Sequence, residues 1–386
     1  MKKKILIYSS SRADIDRYIP ILKKISNENI FQPILFLSCF HKKEKFGNYK
    51  FEIKKLKIKL IENNIKNKLN DKYSSIIDHF CYDLKGFNKI LTSLKPNIIL
   101  VLGDRCEIIS AVVPSVIQNI PIVHLYGGAV TEGAIDEKIR HAVTKFSNVH
   151  LVLHKRYFKR VSQLGEEKWR IKLIGLDFLN ELKKQKIISR KKLFKKINLL
   201  PNQKTFFATF HPITLENKKL SDQIQTFLKA IKLSNYQCIF TYPNSDIGNN
   251  IIIKKINKFI SKNKKKYIFL KKLNLHDYAN ILKHCDVVIG NSSMGIVDAA
   301  TFKKPVINIG NRQKGKISPK NIVHTNNEKK NIIKSIKYVE SLRFKKTIKN
   351  LNNPYKPQKY NLSKFLNSLL ISKKNDINKK KFIDIK

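Results

Sequence analysis

The run NIILVL at 97–102 is apolar at five consecutive positions. A strand with one face in water alternates apolar and polar residues; a strand that is apolar throughout needs cover on both faces. Helices supply such cover, and short apolar runs alternate with longer helical patterns along this chain. Strands are expected at 4–9, 32–38, 97–102, 121–125 and 149–153, and again at 205–210, 237–242, 267–270, 286–289 and 305–309. Helices are expected at 14–27, 74–94, 106–118 and 134–146, with Pro20 marking a kink or a late start and Pro114 weakening the third. Strand–helix alternation of this kind predicts an α/β chain with parallel sheets.

A length of 386 residues exceeds one ordinary core, and the strand–helix pattern restarts after Gly175. Two doubly wound units are therefore expected, over 1–175 and 176–372, with a lysine-rich helical transition at 179–200. The last stretch, 373–386, is almost entirely lysine, isoleucine, asparagine and aspartate, which reads as a frayed tail.

Composition excludes several classes. The five cysteines are scattered and form no CxxC pair, so neither a disulfide framework nor a zinc site is expected. The lysines at 2–4 imitate the start of a signal peptide, but the apolar run behind them stops at Ser9. No run approaches the ~18 apolar residues of a membrane span. A soluble cytoplasmic protein is expected, without a membrane partner. The formal net charge of +50 raises a polyanion-binding alternative, with RNA as the ligand. Lysine, isoleucine and asparagine are high together, however, and the lysines lie on nearly every predicted helix face. With no recognisable nucleic-acid-binding motif, no specific nucleic acid partner is expected. The charge would instead steer an anionic small substrate inward.

Polar residues concentrate just past the strand ends, where open α/β sheets bind ligands. The densest stretch is 124–150, with Gly127-Gly128, Glu132, Asp136, Glu137 and Arg140. Asp136 and Arg140 are four apart and would share a helix face. Ser9-Ser10-Ser11-Arg12 closes the first strand and opens a helix, which suits an anion. Gly103-Asp104-Arg105 follows NIILVL and puts a carboxylate at the sheet edge. His211-Pro212 follows the strand TFFATF. Asn291-Ser292-Ser293-Met294-Gly295 is a small, hydroxyl-rich loop entering a helix, with Asp298 one turn on, where it could meet a ribose diol. Arginine is scarce beside lysine, yet Arg12, Arg105, Arg140 and Arg312 all fall in these motifs. A planar, bidentate donor at strand ends suggests phosphate or carboxylate contact.

In chain order these motifs are SSRAD (10–14), GDR-x-E (103–107), H-x-x-G-G (124–128), TEGAIDE-x-x-RHA-x-TK-x-S (131–147), HP-x-T (211–214), YPN-x-D (242–246), NSS-x-GI-x-DA (291–299) and P-x-INIG-x-RQ-x-G (305–315). Together they resemble the hydrolysing UDP-N-acetylglucosamine 2-epimerases of sialic-acid-type sugar synthesis. The resemblance implies two Rossmann-like domains facing a cleft, the glycosyltransferase-B fold. It implies a UDP-sugar substrate, UDP gripped by Asn291, Ser292, Ser293, Gly295 and Asp298, with Arg12, Arg140 and Arg312 nearby, and catalysis by Asp104, Glu132, Asp136 and His211. The implied reaction converts UDP-N-acetylglucosamine and water to N-acetylmannosamine and UDP through a glycal. It needs no cofactor and no metal. Relatives of this kind suggest a homodimer or homotetramer.

Two positions depart from the family pattern. Relatives commonly carry an acidic residue after the paired glycines, where this chain has Ala129; non-hydrolysing cousins place a glutamate where it has Tyr126. Lys316 also stands where arginine is frequent. The first two changes bear on the sugar, so the same chemistry on UDP-N,N'-diacetylbacillosamine, for legionaminic-type sugars, is the alternative. A glycosyltransferase on the same fold is a further alternative, and would require an acceptor.

Overall fold

The computed structural model describes residues 2–42, 53, 56, 58–65, 73–213, 219–243, 247–271, 273–372 and 376–384. The described strands form two wholly parallel sheets. The first has β1 (Lys3–Ser9), β2 (Phe31–Leu37), β3 (Lys59–Glu62), β4 (Ile98–Leu102), β5 (Ile122–Leu125), β6 (Val149–Val152) and β7 (Ile171–Leu173), in the order β3-β2-β1-β4-β5-β6-β7. The second has β8 (Thr205–Thr209), β9 (Gln237–Thr241), β10 (Tyr267–Leu270), β11 (Val287–Gly290), β12 (Val306–Ile309) and β13 (Ile322–Thr325), in the order β10-β9-β8-β11-β12-β13. Each sheet starts from an inner strand, winds outward one way, then returns and winds the other. The winding reverses between β1 and β4 in one sheet and between β8 and β11 in the other.

Burial explains why the strands read as continuous apolar runs. Ile5, Ile7, Ile98 and Leu100 enter one core cluster, whereas Leu6, Tyr8, Ile99 and Val101 enter another. In the second sheet Phe206 and Ala208 face one cluster and Phe207 the other. Alternate residues thus meet helices on opposite faces. The expected strands are all present. The sequence reading missed β3, β7 and β13, all edge strands that are largely half-exposed, with charged or polar residues among few apolar ones.

Pro20 does not delay its helix, which runs unbroken over Arg12–Ser26. Ile15, Tyr18, Ile21, Leu22 and Ile25 are all fully buried on either side of it, so packing overrides the lost hydrogen bond. Before Pro114 the expected helix is split into a 3-10 turn, Cys106–Ile108, and an α-helix, Ile109–Ile117.

The domain boundaries need correction. One compact unit comprises 1–129, 136–178 and 355–386; the other comprises 130–135 and 179–354. The chain returns to the first unit because residues 174–176 pair with the segment after 354: Leu176 N–H donates to Tyr355 O (2.9 Å) and Gln358 N–H to Ile174 O (2.9 Å). Gly175 permits this; at φ +66°, a Cβ on it would lie 2.2 Å from Lys356 O. Helix Leu362–Ile371 then buries Leu362, Leu366 and Leu369 in the same core as β1. The frayed-tail expectation also fails over 376–384: Arg170, fully buried, donates to the carbonyls of Asp376 (3.3 Å), Ile377 (2.8 Å) and Lys379 (2.6 Å). Residues 373–375 and 385–386 lie outside the described set.

Gly290 ends β11 at φ +133°, and a Cβ there would sit 2.0 Å from Thr209 O on β8. Gly290→Ala must therefore push apart two paired strands. It should destabilise the second unit by about 3 kcal/mol or more, measured as a lower urea midpoint.

Candidate active site

In the first unit, the switch between β1 and β4 brings two strand-end loops together. Asp14 builds one of them: its Oδ2 accepts Ser10 N–H (2.8 Å), Ser11 N–H (2.8 Å) and Ser10 Oγ–H (2.9 Å). Its burial raises the carboxyl pKa, against these hydrogen bonds. Asp14 in the SSRAD motif thus fixes the turn. Arg12 opens the helix beyond it.

The other loop carries Asp104. Gly103, at φ +85°, turns the chain out of β4, and its N–H donates to Leu125 O (2.9 Å). His124 on β5 approaches the Gly103 carbonyl with Nε2 at 2.7 Å. A carbonyl only accepts, so Nε2 bears the proton, and Nδ1 faces the Thr144 hydroxyl at 3.3 Å. Burial lowers the His124 pKa to about 3, so the ring is neutral. Arg105 pairs with the buried Glu107 at 2.6 Å and braces the same loop.

Arg140 is the centre of this site. Its side chain is 0% exposed. Nε donates to Asp104 Oδ2 at 3.1 Å and Nη2 to the same oxygen; Nη1 donates to Glu137 Oε2 at 2.6 Å and to Ala129 O at 3.0 Å. Burial opposes the guanidinium charge, but Asp104 and then Glu137 outweigh it and raise its pKa. Asp104 keeps 29% of its side chain exposed, so it faces outward while anchored from behind. His141 Nε2 lies 3.0 Å from the other Glu137 oxygen. Asp136 starts the helix Asp136–Phe146, half-buried, and its charge reaches Cys106, whose thiol is pushed up to about 12 first by burial and then by Glu107.

Two expected site residues have defined surroundings. The Arg140 side chain, expected near UDP, is wholly buried against Asp104, Glu137 and the Ala129 carbonyl. Glu132 lies in the second unit, half exposed, with its carboxylate on Lys314 Nζ at 2.7 Å. Its backbone N–H donates to Lys314 O (3.2 Å), and a Cβ on Gly133 would come within 2.9 Å of Asn311 O. The segment 130–135 is thus tied to the loop after β12. The sequence reading gave no role to His124 or Glu137. The spacing of Glu137 and Arg140, three apart on one helix, was the available signal.

In the second unit, the switch between β8 and β11 is stapled by Asn291. Its Oδ1 accepts His211 N–H (2.7 Å) and its Nδ2 donates to His211 O (2.9 Å). Its own carbonyl accepts from Gln313 Nε2 at 3.0 Å, and Arg312 Nη1 approaches at 3.4 Å. Asn291, expected at UDP, is fully buried and joins both backbone groups of His211. Ser292 caps the short helix Ser293–Val297, and Ser292 and Ser293 are both half-buried. Gly295 lets that helix approach β12, since a Cβ would lie 2.8 Å from Val306 Cγ1. Asp298 is buried at its end and accepts the Tyr278 hydroxyl at 2.7 Å. An open polar cavity of about 400 Å³ lies at the C-terminal ends of β12 and β13, lined by Asn311, Lys314, Lys316, Ser318 and His324 among others. Thr214 and 244–246, from the HP-x-T and YPN-x-D motifs, and the Arg12 side chain lie outside the described residues.

Among the described residues, no cluster of three or more His, Cys, Asp or Glu could hold a metal ion, and no helix is long and apolar enough to cross a membrane.

The sequence profile of a family described as UDP-N-acetylglucosamine 2-epimerase matches residues 23–361. The chain is 33% identical over 350 residues to the GDP/UDP-N,N'-diacetylbacillosamine 2-epimerase (hydrolyzing) of Campylobacter jejuni, covering 89% of each. It is 30% identical over 313 residues to the UDP-N,N'-diacetylbacillosamine 2-epimerase (hydrolyzing) of Legionella pneumophila, covering 81% of this chain and 82% of that one. Its fold matches the crystal structure of the UDP-GlcNAc 2-epimerase of Neisseria meningitidis bound to UDP-GlcNAc, with a TM-score of 0.78 at 16% identity over 96% of this chain and 100% of that one.

His124 yields a pH prediction. Its folded pKa of about 3 is below its ordinary 6.5, so the unfolded state binds a proton first. Its stabilisation is complete above pH 6.5 and is lost as pH falls toward 3. His124→Asn should reduce the acid slope of unfolding free energy by ~1.4 kcal/mol per pH unit in that window, read from urea denaturation at pH 4 and 6.

Proposed function

The chain belongs to the UDP-N-acetylglucosamine 2-epimerase family, and on that premise we propose that it hydrolyses and epimerises UDP-N,N'-diacetylbacillosamine. The activities borne by the Campylobacter and Legionella relatives support this substrate over the UDP-N-acetylglucosamine expected from the motifs. The departures at Tyr126 and Ala129 are consistent with a sugar other than N-acetylglucosamine.

One observation carries the chemistry: Asp104 stands at the C-terminal end of β4, partly exposed, and is held from behind by the buried Arg140. A carboxylate so placed is ready to move a proton without first finding its position. In the proposed reaction, a base takes the proton from sugar C2 while the C1–O bond breaks and its electron pair leaves with UDP. The C2–H electrons form the C1=C2 double bond of a glycal. Water then gives its hydroxyl to C1, and a proton returns to C2 on the opposite face. UDP and a free mannose-configured 2,4-diacetamido-trideoxy sugar result. Asp104 and Asp136 carry the two proton transfers. His211, held by Asn291, neutralises charge on the departing diphosphate. Ser292, Ser293, Gly295, Asp298, Arg12 and Arg312 bind UDP. Arg140 and Asn291 position these groups, and Glu132 stays outside the proton-transfer pair.

The reading is tested in heavy water with UDP-N,N'-diacetylbacillosamine and UDP-N-acetylglucosamine in parallel, followed by NMR. Free sugar with one deuterium at C2 is expected, with kcat/KM at least ~10-fold higher for the first substrate. Unlabelled sugar, or an epimer still joined to UDP, contradicts the mechanism; a preference for UDP-N-acetylglucosamine contradicts the substrate. Asp104→Asn should lower kcat by about 10³-fold and leave UDP affinity within about twofold. An equal loss of UDP affinity would move Asp104 to the nucleotide site.

A further inference from the structure

The helix Asp136–Phe146 bears Asp136, Glu137 and Arg140 in its first turns, and its other end is held by the C-terminal tail. The last carbonyls of a helix have no partner within it. Here the Lys380 ammonium donates to Lys145 O at 2.7 Å and to Ser147 O, just past the helix, at 2.7 Å, with Thr144 O at 3.5 Å. A cation at a helix C-terminus also complements the helix dipole. Glu166 fixes the cation: Lys380 Nζ lies 3.0 Å from Oε1 and 2.9 Å from Oε2 of this fully buried carboxylate. His150 Nε2 (2.9 Å) and Lys145 Nζ (2.8 Å), the latter from the helix itself, complete the cluster.

The tail is seated on both sides of Lys380. Before it, Arg170 and Asn148 Nδ2 hold the carbonyl of Ile377, the latter at 3.0 Å. After it, Ile383 N–H donates to Gly165 O (3.0 Å), and Phe382 covers Gly165 so closely that a Cβ there would lie 2.6 Å from the ring. A fully buried arginine committed to three tail carbonyls marks a built contact, since burying that charge is costly unless every donor is used.

We propose that residues 376–384 form a clasp that sets the position of the helix Asp136–Phe146, and that Lys380 is a positioning residue for the reaction at Asp104. The helix is rigid and ~16 Å long. A shift at its C-terminal end therefore moves Arg140 relative to Asp104, and small misplacements of a proton-transfer group cost rate. The catalytic part of this proposal rests on the epimerase reading; the structural part does not.

The test uses the 386-residue chain, Lys380→Ala, Lys380→Arg and a chain ending at 375. Amide hydrogen exchange of residues 137–146 is measured without substrate, and kcat and KM are measured well below each variant's Tm. Lys380→Ala and the shortened chain should exchange at least ~10-fold faster over the helix. Their kcat should fall ~10-fold with KM within about twofold. Lys380→Arg can donate to the same carbonyls and should restore both. Should the shortened chain not fold, the Lys380 pair decides. Unchanged exchange in Lys380→Ala overturns the clasp, and a lower Tm with unchanged kcat overturns the positioning role. If the wild-type protein turns over neither UDP-sugar, the functional reading has failed, and exchange still decides the clasp.

Discussion

A parallel strand buried on both faces can present polar groups only at its ends. β1 and β4 in one sheet, and β8 and β11 in the other, are such strands, with 0–3% exposure along most of their length. Where neighbouring strands wind away in opposite directions, the loops at their C-terminal ends separate and leave room. Both groups of candidate residues sit at such points. Asp104 and the Ser10–Asp14 turn lie at one, His211 and the Asn291–Asp298 loop at the other. Site location is thus a consequence of topology, and the conformational demands on Gly103 and Gly290 follow from it.

The two units stabilise their strand ends with different chemistry. The first uses charge: a buried guanidinium between two carboxylates. Buried ion pairs add little net stability, because desolvation offsets their attraction. Their value here is geometric, since a planar fork bonded to Asp104, Glu137 and Ala129 O tolerates little movement. The second uses a neutral staple, in which one asparagine amide pairs with both backbone groups of His211. A neutral staple beside a proposed diphosphate site fixes His211 without adding negative charge. The tail, read from composition as frayed, is instead part of the first unit's support. Its lysines and isoleucines gave no periodic signal because it forms no helix or strand over 376–384.

Much of the fold was legible because doubly buried strands leave an unmistakable apolar run, and the motifs were legible because small and charged residues at strand ends break that run. The wholly apolar edge strand β10 was legible too, whereas the edge strands β3, β7 and β13, with few apolar residues to betray them, were not. Nor was the partner of Arg140. Residues 136 and 140 share a face, as do 137 and 140, and helical spacing alone does not choose between them; the contact with Asp104 crosses 36 positions of sequence.

The sequence alone thus determined two parallel, doubly wound sheets, the strand ends that carry chemistry, and a family resemblance spread along the chain. Its terms are local, as hydrophobic period and turn chemistry act over a few residues. Tertiary structure decided what depends on distant chain meeting: the return of 355–386 to the first unit, the placing of Glu132 in the second, and the burial of Arg140 against Asp104 and of Asn291 against His211. Each turns on whether a polar side chain is buried against a particular partner. Burying such a group is costly without that partner and tolerated with it, and only the folded chain supplies the partner.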